Sequence, residues 1–113
     1  MSSTLSICTQ PFQVLIDPSS THSFVSLRFV NRFPKRAEPL NHIMHISTPS
    51  GELLMGTLVY KSFPIDVSSH KLFIDLIVLY IRYFEVILGM DWLTSYHAKV
   101  DYFEKRVTLQ IPN

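Results

Sequence analysis

Val14-Leu15-Ile16-Asp17-Pro18-Ser19-Ser20-Thr21-His22-Ser23-Phe24 and, far downstream, Val86-Ile87-Leu88-Gly89-Met90-Asp91-Trp92-Leu93 are the two stretches on which the fold turns. In the first, an apolar β-prone run ends on one carboxylate and turns at once through proline and small hydroxyl residues. Such a strand presents a single acid at the floor of a cleft. An Asp that merely opens a turn has the same local composition, because Asp, Pro and Ser form turns on backbone grounds alone. In the second stretch Gly89 breaks a buried-strand pattern, and Met90 to Tyr96 has helical composition with Trp92 and Leu93 available to pack inward. Asp91 falls at the start of that helix, where a negative charge complements the N-terminal dipole.

At 113 residues the chain has room for one core and is expected to be a single domain over residues 1–113. With 47% hydrophobic and 17% charged residues it can fold but has little charge for steering partners. The net charge is +1, and the basic clusters are limited to Pro34-Lys35-Arg36 and Lys105-Arg106, for which solvated turns suffice. That balance argues against nucleic acid as a main partner. Cys8 is the only cysteine, so neither an internal disulfide nor a cysteine metal cluster can form. No metal site and no cofactor are expected; His42 and His45, three apart in strand or loop surroundings, do not make a metal pair. The lone cysteine and the lack of a basic, apolar leader in Met1 to Ser6 point to an intracellular, cytoplasmic protein. Leu72 to Leu88 is strongly apolar, but Asp75, Arg82 and Glu85 interrupt it before the roughly 18 residues a spanning helix needs, so no membrane partner is expected.

Strands are expected at Thr4 to Cys8 and Phe12 to Ile16, around Gln10-Pro11. Phe24, Leu27, Val30 and Phe33 recur at helical spacing, predicting a short helix capped by Ser20, Thr21 or Ser23 and ended by Pro34. Lys35 to Asn41 reads as a loop. Ile43 to Ile46 and Leu53 to Tyr60 flank a hairpin tip that contains Thr48, Pro49, Ser50 and Gly51. A second hairpin joins Phe63 to Val67 with Leu72 to Ile77 through Ser68-Ser69-His70. Strands continue at Val78 to Ile81 and Phe84 to Leu88, and the chain closes with Ala98 to Tyr102 and Arg106 to Ile111. Many short strands with one or two short helices make an all-β, barrel-like architecture the expected class.

The two opening stretches together resemble the retropepsin-like aspartic proteases of gypsy-type long-terminal-repeat retrotransposons. Their hallmark is Asp-Ser/Thr-Gly-Ala-Thr-His-Ser-Phe followed by Val-Ile-Leu-Gly-Met-Asp-Trp-Leu. The resemblance runs from about Val14 to Leu109 and implies a small closed acid-protease barrel. It implies Asp17 as the catalytic acid and Pro18, Ser19, Ser20 and Thr21 as the supporting loop. It places Thr48 to Gly51 in the flap region and makes Leu88, Gly89, Met90, Asp91 and Trp92 a structural motif. Peptide hydrolysis of this kind needs two carboxyl groups sharing one proton. A chain with one such Asp obtains the second from a copy of itself, so the implied partners are a second copy and a polypeptide substrate, the latter a retrotransposon polyprotein.

The sequence departs from the family at Pro18, where Ser or Thr would bond across the dimer, and at Ser19, where Gly would keep the cleft open. Proline has neither hydroxyl nor N–H, and Ser19 adds a Cβ that any strained φ there would penalise. Relatives also often carry Cys where this chain has Tyr60, Phe63 and Tyr102, and acidic or polar residues within Tyr80 to Glu85. The alternative to an active endopeptidase is therefore an inactive relic of the fold, serving at most to dimerise or bind peptide. An unrelated small β-barrel that binds a protein partner is a third reading. A His22, Ser23, Asp17 triad is disfavoured because groups this close in sequence rarely converge.

Overall fold

The computed structural model describes residues 2–47, 51–82 and 84–110. The chain runs β1 (Ser2–Ile7), β2 (Gln10–Ile16), β3 (Phe24–Ser26), a 3-10 helix (Leu27–Arg32), β4 (Glu38–Ser47), β5 (Leu53–Val67), β6 (His70–Leu79), β7 (Val86–Leu88), α1 (Met90–Ser95), β8 (Lys99–Asp101) and β9 (Arg106–Thr108). Six strands follow one another around a ring in the order β1-β2-β7-β3-β6-β5, and β5 closes it by pairing Ile65 and Asp66 with Ile7 and Ser6 of β1. β4 extends the sheet from β5, and β8 and β9 form a separate hairpin. Closure leaves those six strands without a continuous open edge.

Inside the ring Ile7, Phe12, Val14, Ile65, Leu76 and Leu88 are almost fully buried. Phe33 closes one side of this core, with ring centroids 4.9 Å from Tyr60 and 4.8 Å from Phe63, both edge-on. A second, smaller cluster of Phe24, Val59, Ile77 and Leu79 lies with Met44, Ile46 and Leu54 of the β4–β5 hairpin. That second cluster explains why β6 alternates buried and exposed residues up to Asp75 and is then buried on both faces from Leu76 to Leu79.

Several boundaries differ from expectation. The first hairpin turns at Cys8 and Thr9, both in the left-handed region at φ 51° and 65°, so Pro11 lies within β2. Phe24 is not helical: β3 pairs with β6 through Phe24–Ile77 and with β7 through Phe24–Ile87, and two ladders override a helical spacing. The helix that does form begins at Leu27, and its cap is Ser26, whose Oγ accepts from Arg28 N. β4 starts at Glu38 within the expected loop, with Pro39 on the edge strand where a missing N–H is tolerated. β5 is one 15-residue strand, not two. A bulge between Tyr60 and Phe63 absorbs the break, with Ser62 at φ 52° and its N–H bonded to Asp75 Oδ1 at 2.8 Å. Of the expected flap tip, Thr48, Pro49 and Ser50 lie outside the described residues; Gly51 has φ +88° with nothing within 4 Å of a Cβ built there. No helix among the described residues is long and apolar enough to cross a membrane.

Candidate active site

β7 lies between β2 and β3, parallel to the first and antiparallel to the second. The segment joining β2 to β3 must therefore pass over the end of β7, where α1 begins. Asp17 stands at the start of that segment, and its N–H extends the β2–β7 ladder by bonding Leu88 O at 2.9 Å. Ser20 N closes a turn back to Asp17 O at 3.0 Å. Pro18 occupies the second position of this turn, and Ser19 is not among the residues with positive φ. Asp first, Pro second and no left-handed third residue is type I turn chemistry, so Ser19 carries none of the strain that a Cβ threatened.

The Asp17 carboxylate is half-buried and bonded within its own turn: Oδ1 accepts from Ser19 N at 3.0 Å and from Ser19 Oγ at 2.5 Å. The Ser19 backbone N–H thus supports the carboxylate, and its hydroxyl bonds the same oxygen. Oδ2 has no partner among the described residues.

The rest of the loop is fastened to the downstream stretch. Ser20 O accepts from Met90 N at 2.7 Å and Thr21 O from Asp91 N at 3.2 Å, satisfying helix-start N–H groups that would otherwise lack partners. Ser23, fully buried, accepts from Gly89 N at 2.9 Å and donates to Asp91 Oδ1 at 2.6 Å. Asp91 Oδ1 also accepts from Trp92 N at 2.7 Å. A Cβ on Gly89 would collide with His22 O and come within 2.7 Å of Ser20 O. Gly89 has φ −102°, which any residue can adopt, so the need for glycine here is a matter of space.

Ser20 Oγ bonds His22 O at 2.8 Å, and Thr21 Oγ1 and His22 Nδ1 are 2.9 Å apart. His22 and Ser23 therefore face different partners and form no triad with Asp17. The sequence reading placed Ser23 in the motif but missed its bond to Asp91; sixty-eight residues separate the two, and no local pattern signals the pairing. Next to this junction, Ile16 and Trp92 border a groove of about 950 Å³ lined by Ser3 and Leu5 of β1 and Val107 and Thr108 of β9. Trp92 is 3% exposed, and its indole N–H has no partner among the described residues. His42 and His45 both stand on β4, away from this junction, and no group of three metal-ligating side chains occurs among the described residues.

The sequence matches the retroviral aspartyl protease family over residues 1–112. The chain belongs to that family. Solved structures agree on the retropepsin fold: the retroviral protease-like domain of Ddi1 from Leishmania major superposes with TM-score 0.78 at 14% identity, covering 100% of this chain and 90% of that one. EIAV protease, in complex with the inhibitor HBY-793, superposes with TM-score 0.71 at 20% identity, covering 89% and 91%. No curated protein sequence matches the chain.

Proposed function

We propose that the chain is a homodimeric aspartic endopeptidase domain that processes the polyprotein of a gypsy-type retrotransposon, working with a degenerate Asp-Pro-Ser loop. The observation that carries this reading is the placement of Asp17: it follows β2 with its N–H on Leu88 O, in a loop that Gly89, Met90 and Asp91 hold by hydrogen bonds. One carboxyl of the Asp17 pair takes a proton from water as the water attacks the peptide carbonyl, and the other donates its proton to the carbonyl oxygen. The groove beside Ile16, bounded by β1 and β9, supports dimerisation through terminal strands next to the Asp17 loops. A molar mass by light scattering that rises to twice the monomer value with concentration is the expected result, and a constant monomer mass would remove the second carboxylate and the reading with it.

Two features favour a second reading, an inactive member of the family that dimerises or binds peptide. Pro18 offers neither hydroxyl nor N–H for a bond across the dimer, and Ser19 Oγ adds a second hydrogen bond to one oxygen of the Asp17 carboxylate. The test is the double variant Pro18→Ser, Ser19→Gly, which restores the family's loop. Peptide cleavage favoured by acid should rise by roughly 10²-fold over the natural chain and disappear on adding Asp17→Asn, because carboxylate placement sets the rate. A folded, dimeric double variant without cleavage would put the defect outside this loop, in the flap or in the stretch from Tyr80 to Glu85.

A further inference from the structure

The segment Leu27-Arg28-Phe29-Val30-Asn31-Arg32-Phe33-Pro34-Lys35-Arg36-Ala37 carries four of the chain's ten Lys and Arg residues and no acid. Two of the four are engaged within the fold. Arg28 stacks on the Tyr80 ring at 5.4 Å and donates to its hydroxyl at 3.1 Å. Arg32 lies over Phe12 and Phe29 and pairs with Glu85 at 3.3 Å. Lys35 and Arg36 are exposed and pair with no carboxylate among the described residues.

These two cations rim a cleft of about 440 Å³ between the 3-10 helix and β5. Its buried lining is Phe33, Tyr60 and Val78, and its exposed large apolar side chains are Leu27 and Leu58, 51% and 38% accessible. Among the described residues, no carboxylate lines the cleft, and none of the Asp17 loop or of Gly89 to Trp92 contributes to it. The exposed Leu27 and Leu58 favour a side chain over a phosphate group, while the cations at the rim favour flanking negative charge. The aromatic rings are 7% and 4% exposed, which leaves no open face on which a nucleic-acid base could stack.

We propose that this cleft is a docking site for an acidic peptide segment. A leucine or phenylalanine side chain of the partner seats by Leu27 and Leu58, and neighbouring Asp or Glu residues face Lys35 and Arg36. The site is independent of catalysis at Asp17, so it stands whether the chain cuts peptides or only binds them.

The test is fluorescence anisotropy on the full chain with a labelled Glu-Glu-Leu-Phe-Glu-Glu peptide. Saturable binding is expected, weakened about tenfold by Lys35→Glu with Arg36→Glu and about fivefold by Leu58→Ser, with further weakening as salt is raised. A peptide with Ser-Ser at its centre and one with Gln in place of Glu should each bind at least about fivefold more weakly. On the unmodified chain, amide resonances of Leu27 to Phe33, of Lys35 to Ala37 and of Leu58 should shift on titration, which keeps the test valid if a variant misfolds. Absence of saturable binding, equal binding of the Ser-Ser peptide, resonance shifts elsewhere, or displacement of the peptide by oligothymidylate at lower concentration would each overturn the proposal.

Discussion

The loop from Asp17 to Ser20 and the segment from Gly89 to Trp92 meet at one junction, yet they answer to different constraints. Gly89 is enclosed by backbone oxygens of Ser20 and His22, and its N–H is bonded to a fully buried serine. Pro18 and Ser19 form a turn that is satisfied by its own residues, with Ser19 exposed. The downstream segment cannot change without moving packed backbone, whereas the upstream turn can exchange one set of turn formers for another and keep its shape. Integrity of the fold and the residues of the turn beside Asp17 are therefore separable in this chain.

The largest expected effect lies on the enclosed side. Gly89→Ala should destabilise the protein by roughly 3 kcal/mol, because the atoms met by the new methyl are backbone and cannot swing away. Thermal unfolding checks this as a fall in Tm of about 10 °C or more. A neutral Gly89→Ala would mean that loop and helix start can separate freely, and the contrast between the two segments would fail. Ser23→Ala should follow at about 2 kcal/mol, since it leaves Gly89 N–H and one Asp91 bond unmet in a buried place. Denaturant unfolding should show the loss as a lower midpoint with unchanged slope.

On the turn side, Pro18→Ser with Ser19→Gly should cost only about 1 kcal/mol, mostly through a more flexible unfolded chain and the lost Ser19 hydroxyl bond. Equilibrium unfolding of this variant beside Ser23→Ala sharpens the comparison: the change closest to the carboxylate should be the milder for stability. A cost equal to that of Gly89→Ala would show that the turn is as tightly constrained as the segment it meets.

How much of this was legible in the sequence follows the same division. Val86 to Leu93 reads correctly because an apolar strand, a glycine break and a short helix are each local patterns, and Asp17 at the end of Val14-Leu15-Ile16 is a local pattern too. Phe24 misleads because Phe24, Leu27, Val30 and Phe33 do have helical spacing; only the two strands that flank β3 decide otherwise. The turn at Cys8 and Thr9 is hidden because neither residue is among the usual formers of left-handed turns. The extent of β4 and the continuity of β5 depend on cross-strand partners, and a bulge at Ser62 looks like a break when read along the chain. The cleft beneath Lys35 and Arg36 needs Leu58 and Val78 brought beside the 3-10 helix, a juxtaposition no window of sequence contains.

The smallest effect separates the junction from the rest of the barrel by pH. Burial pushes the Cys8 thiol above its ordinary range, with Lys35 opposing and Asp66 reinforcing, and burial likewise raises the Tyr60 phenol against a backbone hydrogen bond from Ala37. Both groups are neutral in the folded protein, and both lose their proton more readily in the unfolded chain. Below the ordinary thiol and phenol ranges their contribution to stability is fully present, and it is lost as pH rises through the raised folded values, because the unfolded state then binds fewer protons. Stability should accordingly be level near neutrality and decline on the alkaline side. Cys8 ends the first hairpin against Pro64 and Tyr60 lies on β5, so neither belongs to the Asp17 or Gly89 segments. The difference in unfolding free energy between the natural chain and Ser23→Ala should then stay constant across the alkaline decline, to within about 0.5 kcal/mol, as additivity requires of sites without shared partners. Urea titrations at several pH values would measure it, and a difference that shrinks as the pH rises would mean that the junction loosens together with the barrel.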